Sequence, residues 1–339
     1  MRNISLVILF FLSYSCTSMS QERRDSVINT SDSISCQKDS IITSRLTLLF
    51  AGDLMQHQAQ INAARTSTGY DYSDCFKFVK EEINRADIAI ANLEVTLGGK
   101  PYRGYPAFSA PDEYLFAIRD AGFDVLITAN NHCLDKGKKG LERTLLMLDS
   151  LQIPHAGTYV NTESREQQYP LLLEKNGFRI ALLNYTYGTN GIKVISPNVV
   201  NYIDKAVMAQ DIEAARAQHP DALIACMHWG DEYQSLPNKE QKNLTDWLLQ
   251  QGVTHIIGSH PHVVQPMELR TDSITGNQHV VVYSLGNFIS NMSARRTDGG
   301  LLFKLELEKD SVTRVANCGY SLVWTSRPVL SRKKNHILY

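Results

Sequence analysis

Leu46-Thr47-Leu48-Leu49-Phe50-Ala51-Gly52-Asp53-Leu54-Met55-Gln56-His57 decides the fold class of this chain. A short apolar run reads as a strand, a glycine ends it, and an acid and an imidazole follow within five residues. The same pattern recurs downstream. Apolar runs at Ile88 to Asn92, Val125 to Ala129, Leu171 to Glu174, Arg179 to Leu183, Leu223 to Met227, His255 to Ile257, Val280 to Tyr283 and Leu301 to Glu306 are expected strands. Helical spacing predicts helices at Phe76 to Arg85, Glu113 to Ala121, Gly140 to Leu151, Ala206 to Gln218 and Lys239 to Gln250. Strands alternating with amphipathic helices mean an α/β fold.

Lys and Arg number 34 against 35 Asp and Glu, and the basic residues are scattered, so a main role in neutralising phosphate backbones is excluded and no nucleic acid partner is expected. Arg2 followed by the apolar run Ile4 to Leu12 and by Ser13-Tyr14-Ser15-Cys16 reads as a secretory signal of the bacterial lipoprotein type, residues 1–15, with Cys16 acylated after cleavage. Residues 16–44 are rich in Ser, Thr, Asp and Gln and read as a flexible tether. One domain is expected over 45–310, followed by edge strands and a basic tail over 311–339. The five cysteines other than Cys16 show no CxxC spacing and imply no disulfide framework.

The unusual polar residues fall where the expected strands end. Asp53 and His57 follow the first; Asn92-Leu93-Glu94 the second; Asn130-Asn131-His132-Cys133-Leu134-Asp135 the third; Met227-His228-Trp229-Gly230 and Gly258-Ser259-His260-Pro261-His262 two later ones. Sites in open α/β sheets lie at the C-terminal strand ends, so Asp53 and His262 can meet although about 200 residues separate them. Carboxylates, an amide oxygen and imidazoles together suit a borderline divalent metal, Mn, Fe or Zn. A helix starting directly after the first strand would set Asp53 and His57 four apart on one face, both within reach of one ion. Hydrolytic chemistry is the expectation.

These segments, with Gly104-Tyr105-Pro106-Ala107-Phe108, Ala121-Gly122-Phe123-Asp124 and Ser284-Leu285-Gly286-Asn287-Phe288, resemble over about residues 46–290 the bacterial capsule-synthesis CapA family, also described as poly-γ-glutamate biosynthesis proteins. That family is similar to the calcineurin-like metallophosphoesterases, which implies a four-layer α/β/β/α sandwich around a metal centre. The resemblance implies metal ligation by Asp53, Asn131, His228, His260 and His262, and protonation of a leaving group by His132. The chain departs from the phosphoesterase pattern at two points. Asp-x-His is replaced by Asp53-Leu54-Met55, with His57 at wider spacing, and Glu94 stands near the place of a bridging aspartate. One or two ions are therefore expected.

Asp135, three residues after His132, is placed to accept the other imidazole N–H and fix its tautomer. Arg103, with Tyr105 and Phe108, reads as a loop over the site that grips an anion, and Asn287 as a rim residue that donates to substrate. The expected protein is an envelope lipoprotein outside the cytoplasm, membrane-bound through its N-terminal lipid. Its expected partners are an anionic envelope polymer or phosphoester substrate and a capsule or polymer export machinery. A metal-dependent hydrolase acting on phosphoesters or amides is the leading reading; a phosphoesterase unrelated to capsule and a non-catalytic polymer-binding scaffold are the alternatives.

Overall fold

The run beginning at Leu46 lies in the middle of a sheet because both its faces are apolar. The computed structural model describes residues 43–327 and 336–339; the signal segment, Cys16, almost all of the expected tether and part of the basic tail lie outside the described residues. Along the chain come β1 (Ser44–Leu54), α1 (Gln58–Ala64), α2 (Lys80–Ile83), β2 (Ile88–Leu93), α3 (Asp112–Ala121), β3 (Val125–Ile127), α4 (Gly137–Ser150) and β4 (His155–Ala156). The second part runs through β5 (Thr158–Tyr159), α5 (Thr162–Gln168), β6 (Leu171–Lys175), β7 (Phe178–Thr186), β8 (Val199–Val200), α6 (Lys205–Arg216), β9 (Ala222–His228), α7 (Lys239–Gln251), β10 (His255–Ser259), β11 (Met267–Thr271) and β12 (Gln278–Val282). β13 (Asn287–Ile289), β14 (Gly299–Lys309), β15 (Thr313–Ser326) and β16 (Ile337–Leu338) then return to the first sheet.

Among the described residues the first sheet has the order β16-β15-β14-β1-β2-β3-β4, with β13 beside the end of β1, and the second has the order β11-β12-β10-β9-β7-β6. β1 to β4 run parallel, as do β7, β9, β10 and β12. Side chains alternate across each strand. Leu48, Phe50, Ile88 and Ile90 therefore meet Ile180, Leu182, Ile224 and Ile257 between the sheets. Leu49, Ala51, Ala89 and Leu93 face outward onto Tyr114, Leu115 and Ile118 of α3. On the far side Leu183, Leu223, Ala225 and Val281 pack on Met208 and Ile212 of α6 and on Leu244 and Leu248 of α7. The result is four layers, helix, sheet, sheet and helix, and parallel strands buried on both faces explain the nearly continuous apolar runs.

The helix expected over 76–85 contracts to α2. Its first turns close with three-residue spacing, Cys75 N–H to Tyr72 O and Val79 N–H to Phe76 O, which turns Phe76, Val79 and Ile83 into the core. Cys75, Cys133, Cys226 and Cys318 are free thiols.

Candidate metal centre

Parallel pairing brings the ends of the strands together at one edge of the sandwich. Asp53 of β1 sits in register with Asn92 of β2, and His228 of β9 with Ser259 of β10. Close approach of the backbone makes this edge compact: a Cβ on Gly52 would lie 1.9 Å from Gly286 O, and one on Gly258 would lie 2.0 Å from Tyr283 O. Asn92 Nδ2 donates to Asp53 Oδ1 at 2.8 Å and to Glu94 Oε2 at 3.3 Å, so one amide holds two buried carboxylates side by side.

The remaining donors come from the second sheet. Beyond β10 the chain turns through His260 and His262, both at positive φ, 97° and 58°. These conformations are costly for side-chain-bearing residues and aim both rings back at the carboxylates. His262 Nδ1 lies 3.2 Å from Asp53 Oδ2 and 3.0 Å from Asn287 Oδ1, while His262 Nε2 lies 3.9 Å from Glu94 Oε1. His228 Nε2 stands 3.8 Å from the same Glu94 oxygen and 2.9 Å from Asn131 Oδ1. Two overlapping triads result, Asp53/Glu94/His262 and Glu232/His260/His262, each with one ligand atom per residue and all three atoms within 4.8 Å of one another.

Burial without water sets the charges. Burial would raise Asp53, but hydrogen bonds from His262 and Asn92 outweigh it and hold its carboxyl below the usual range. Glu94 is driven well above that range by burial and by the Asp53 charge beside it. Burial lowers His228 strongly and takes His260 down to about 3, with neighbouring imidazoles adding to both shifts. His262 moves upward: the bond and the charge of Asp53 overcome its burial. A carboxylate oxygen and an imidazole nitrogen, Glu94 Oε1 and His260 Nδ1, are buried here without a hydrogen-bond partner. Unsatisfied buried groups are costly, and a cation relieves both. As oxygen and imidazole-nitrogen donors, with a cation favouring the ionised Glu94 and the unprotonated His262, the residues fit a divalent ion of borderline softness.

His132 stands next to this cluster in a different environment. Its Nδ1 lies 2.8 Å from Asp135 Oδ2, which also accepts from Phe108 N–H at 2.8 Å, and the Phe108 ring packs edge-on against the imidazole at 4.6 Å. With Nδ1 committed to the carboxylate, Nε2 is the nitrogen left for proton exchange. Asn131 Nδ2 donates to Asn190 Oδ1 at 3.2 Å, tying the loop after β7 to the same corner.

Three expected residues fall elsewhere. Asp53 is still within the strand and the helix starts only at Gln58, so the shared-face spacing with His57 does not exist. His57 belongs to neither triad; it caps α1, accepts from Asn291 N–H at 3.3 Å and lies edge-on to Phe108 at 5.2 Å. Arg103 is exposed, and its backbone pairs with Ser109 across the tip of the loop. Asn287 is buried behind His262, with Nδ2 donating to Thr297 O at 2.8 Å, and so orients a ligand instead of rimming the site. Sequence reading passed over Glu232, Asn190 and Tyr187, and placed Asn92 at a strand end without giving it a role. Glu232 follows Gly230 in a turn leaving β9, and an acid just past a glycine at a strand end was the signal available. Tyr187, the first residue beyond β7, tilts over His260 at 4.5 Å between ring centroids.

The family model described as bacterial capsule synthesis protein PGA_cap matches residues 47–292. The capsule biosynthesis protein CapA of Bacillus anthracis is 26% identical over 287 residues, covering 80% of this chain and 66% of that protein. The PGA biosynthesis protein CapA of Bacillus subtilis is 29% identical over 279 residues, covering 79% of this chain and 70% of that protein. This chain thus spans about two thirds of the length of these relatives. Among solved structures, the NAD nucleotidase NadN of Haemophilus influenzae superposes with a TM-score of 0.50 at 13% identity, over 84% of this chain and 59% of that one, a likeness of fold alone.

Proposed function

Because the chain belongs to the PGA_cap family of bacterial capsule synthesis proteins, we propose that it is an envelope-anchored, divalent-metal-dependent hydrolase acting on a capsule or poly-γ-glutamate-type polymer. The observation that carries this reading is the pair of triads sharing His262, one of them wholly buried and the other reaching the surface at Glu232. Asp53, Glu94 and His262 would hold one ion, and His260 and Glu232 would help to hold a second; Asn131 and His228 stand beside them as further candidate ligands. A bound divalent ion supplies Lewis acidity and an activated water.

The remaining steps belong to the chain's own residues. Asn92 keeps Asp53 and Glu94 at a fixed separation through its two donated bonds. Asn287 and Asp53 orient His262 through Nδ1. Asp135 fixes the His132 ring, which supplies a proton from Nε2 to the departing oxygen or nitrogen. Phosphoester and γ-glutamyl amide substrates both end in such a leaving group. The apolar run Ile4 to Leu12 followed by Cys16 supports the lipid anchor, and an export machinery of the envelope is the proposed setting.

Elemental analysis of the chain purified without chelators, beside a His260→Ala/His262→Ala variant, tests the reading together with turnover of an aryl phosphate and a γ-glutamyl anilide. One to two equivalents of Mn, Fe or Zn, lost in the variant, and metal-dependent release from one of the two substrates are expected. A metal-free protein that stays inactive after reconstitution would make it a polymer-binding scaffold. Membrane fractionation tests the anchor: Cys16→Ala is expected to release the chain to the soluble fraction.

A further inference from the structure

The opening of the metal centre is rimmed by tyrosines that a purely ionic site has no use for. Tyr187, Tyr233 and Tyr105 are 47%, 48% and 73% exposed. Tyr187 packs on His260, the Tyr233 ring lies 6.3 Å from that of His262, and Tyr105 lies 6.2 Å from Phe108, which in turn packs on His132. Exposed aromatic rings with a polar tip, gathered round one opening, mark a recognition surface. Tyr187 also lines a cavity of about 650 Å³, together with Trp229, Lys205, Asp231, Glu240 and Asn243. Trp229 follows His228 directly along the chain and Asp231 precedes Glu232, so the cavity adjoins the candidate metal centre.

The charges of this cavity limit what enters it. Two carboxylates, Asp231 and Glu240, face one ammonium, Lys205, which also sits 5.3 Å over the Trp247 ring. A run of carboxylates or phosphates would meet like charge here and too few cations to offset it. Carboxylates and an amide beside aromatic faces instead suit a ligand that donates many hydrogen bonds and presents C–H surface. We infer that the cavity beside Tyr187 is a saccharide subsite, which seats an uncharged or amine-bearing sugar unit next to the bond presented to the metal centre. This rests on the hydrolase reading and narrows its substrate to a sugar-containing polymer. Tyr187 forms the platform, and Glu240 and Asn243 take the hydroxyls.

The test is calorimetric titration of the full chain, in detergent and with the metal removed by chelator, against three probes: an N-acetylglucosamine tetrasaccharide, a γ-glutamyl tetrapeptide and adenosine monophosphate. The tetrasaccharide is expected to bind best. Glu240→Gln combined with Asn243→Ala, both exposed positions, is expected to weaken it about tenfold, the effect of one or two lost hydrogen bonds. Tyr187→Ala is expected to abolish binding and Tyr187→Phe to keep it. No saccharide binding, tighter binding of the γ-glutamyl peptide or the nucleotide, or saccharide affinity untouched in the double variant would each overturn the subsite. Because binding is read without metal or turnover, sugar binding in a protein that turns nothing over would overturn only the hydrolase reading. Turnover of the aryl phosphate without sugar binding would overturn only the subsite.

Discussion

At the scale of single residues, the proposed proton transfer rests on His132, with Asp135 holding its ring. The carboxylate sits 2.8 Å from Nδ1 and so positions the ring while leaving Nε2 free. His132→Ala is expected to lower kcat about 10²- to 10⁴-fold with metal content intact. Asp135→Asn is expected to lower it roughly 10- to 100-fold. Full activity in Asp135→Asn would reduce Asp135 to a packing role. Gly52→Ala is the strictest test of the backbone, because its Cβ would meet a carbonyl oxygen at 1.9 Å. A loss of about 1–3 kcal/mol is expected from overpacking, read as a lower denaturant midpoint with an unchanged slope.

At the scale of elements, α7 supports the second triad through its first turn. Asn238 accepts from Gln241 N–H and Gln241 Oε1 accepts from Asn238 N–H, both at 2.9 Å, a reciprocal cap. Asn238 Nδ2 also donates to Asp231, beside Glu232, and Gln241 Nε2 to Gln265, three residues past His262. Asn238→Ala is expected to cost about 1 kcal/mol in stability and to weaken metal binding in a titration; an unchanged affinity would separate the cap from the site. The elements that carry the candidate ligands were legible because each of their apolar runs stops at an acid, an amide or an imidazole, and because runs buried on both faces leave little polar noise. Glu232 was not legible: its turn is exposed, and it is returned to the cluster by tertiary contacts, Tyr233 N–H to Pro261 O at 2.8 Å among them. Nor was the displacement of His57, since the spacing of Asp53 and His57 means shared reach only if both are helical, and pairing with β13 and β2 keeps the chain extended as far as Leu54.

At the scale of the whole molecule, the sandwich buries imidazoles that it needs neutral. His255, at the start of β10 and so at the other end of the strand from the metal centre, accepts from Val280 N–H at 3.1 Å and is pushed by burial down to about 3. A histidine lowered in the folded state takes up its proton in the unfolded chain first. Its contribution is therefore complete above about pH 6.5, the unfolded value, and is lost as pH falls toward the folded value of about 3. Urea midpoints at pH 8, 6 and 4 are expected to fall in that order, and to fall less steeply between pH 6 and 4 in His255→Gln, which retains a neutral acceptor. Equal slopes in the two proteins would assign acid sensitivity to other groups.

β1 begins at Ser44, where the described chain enters the sandwich, and ends beside Asp53 in the metal centre, with β14 antiparallel on one side and β2 parallel on the other. Tension entering through the N-terminal segment runs along the axis of that strand, across ladder bonds that lie at right angles to it. Eight residue pairs from Ser44 to Ala51 with β14 share such a load in shear instead of opening one after another like a zip. Asp53 lies beyond the last of them, so a load applied at Ser44 is borne by the first eight residues of β1 before it disturbs the geometry of the site.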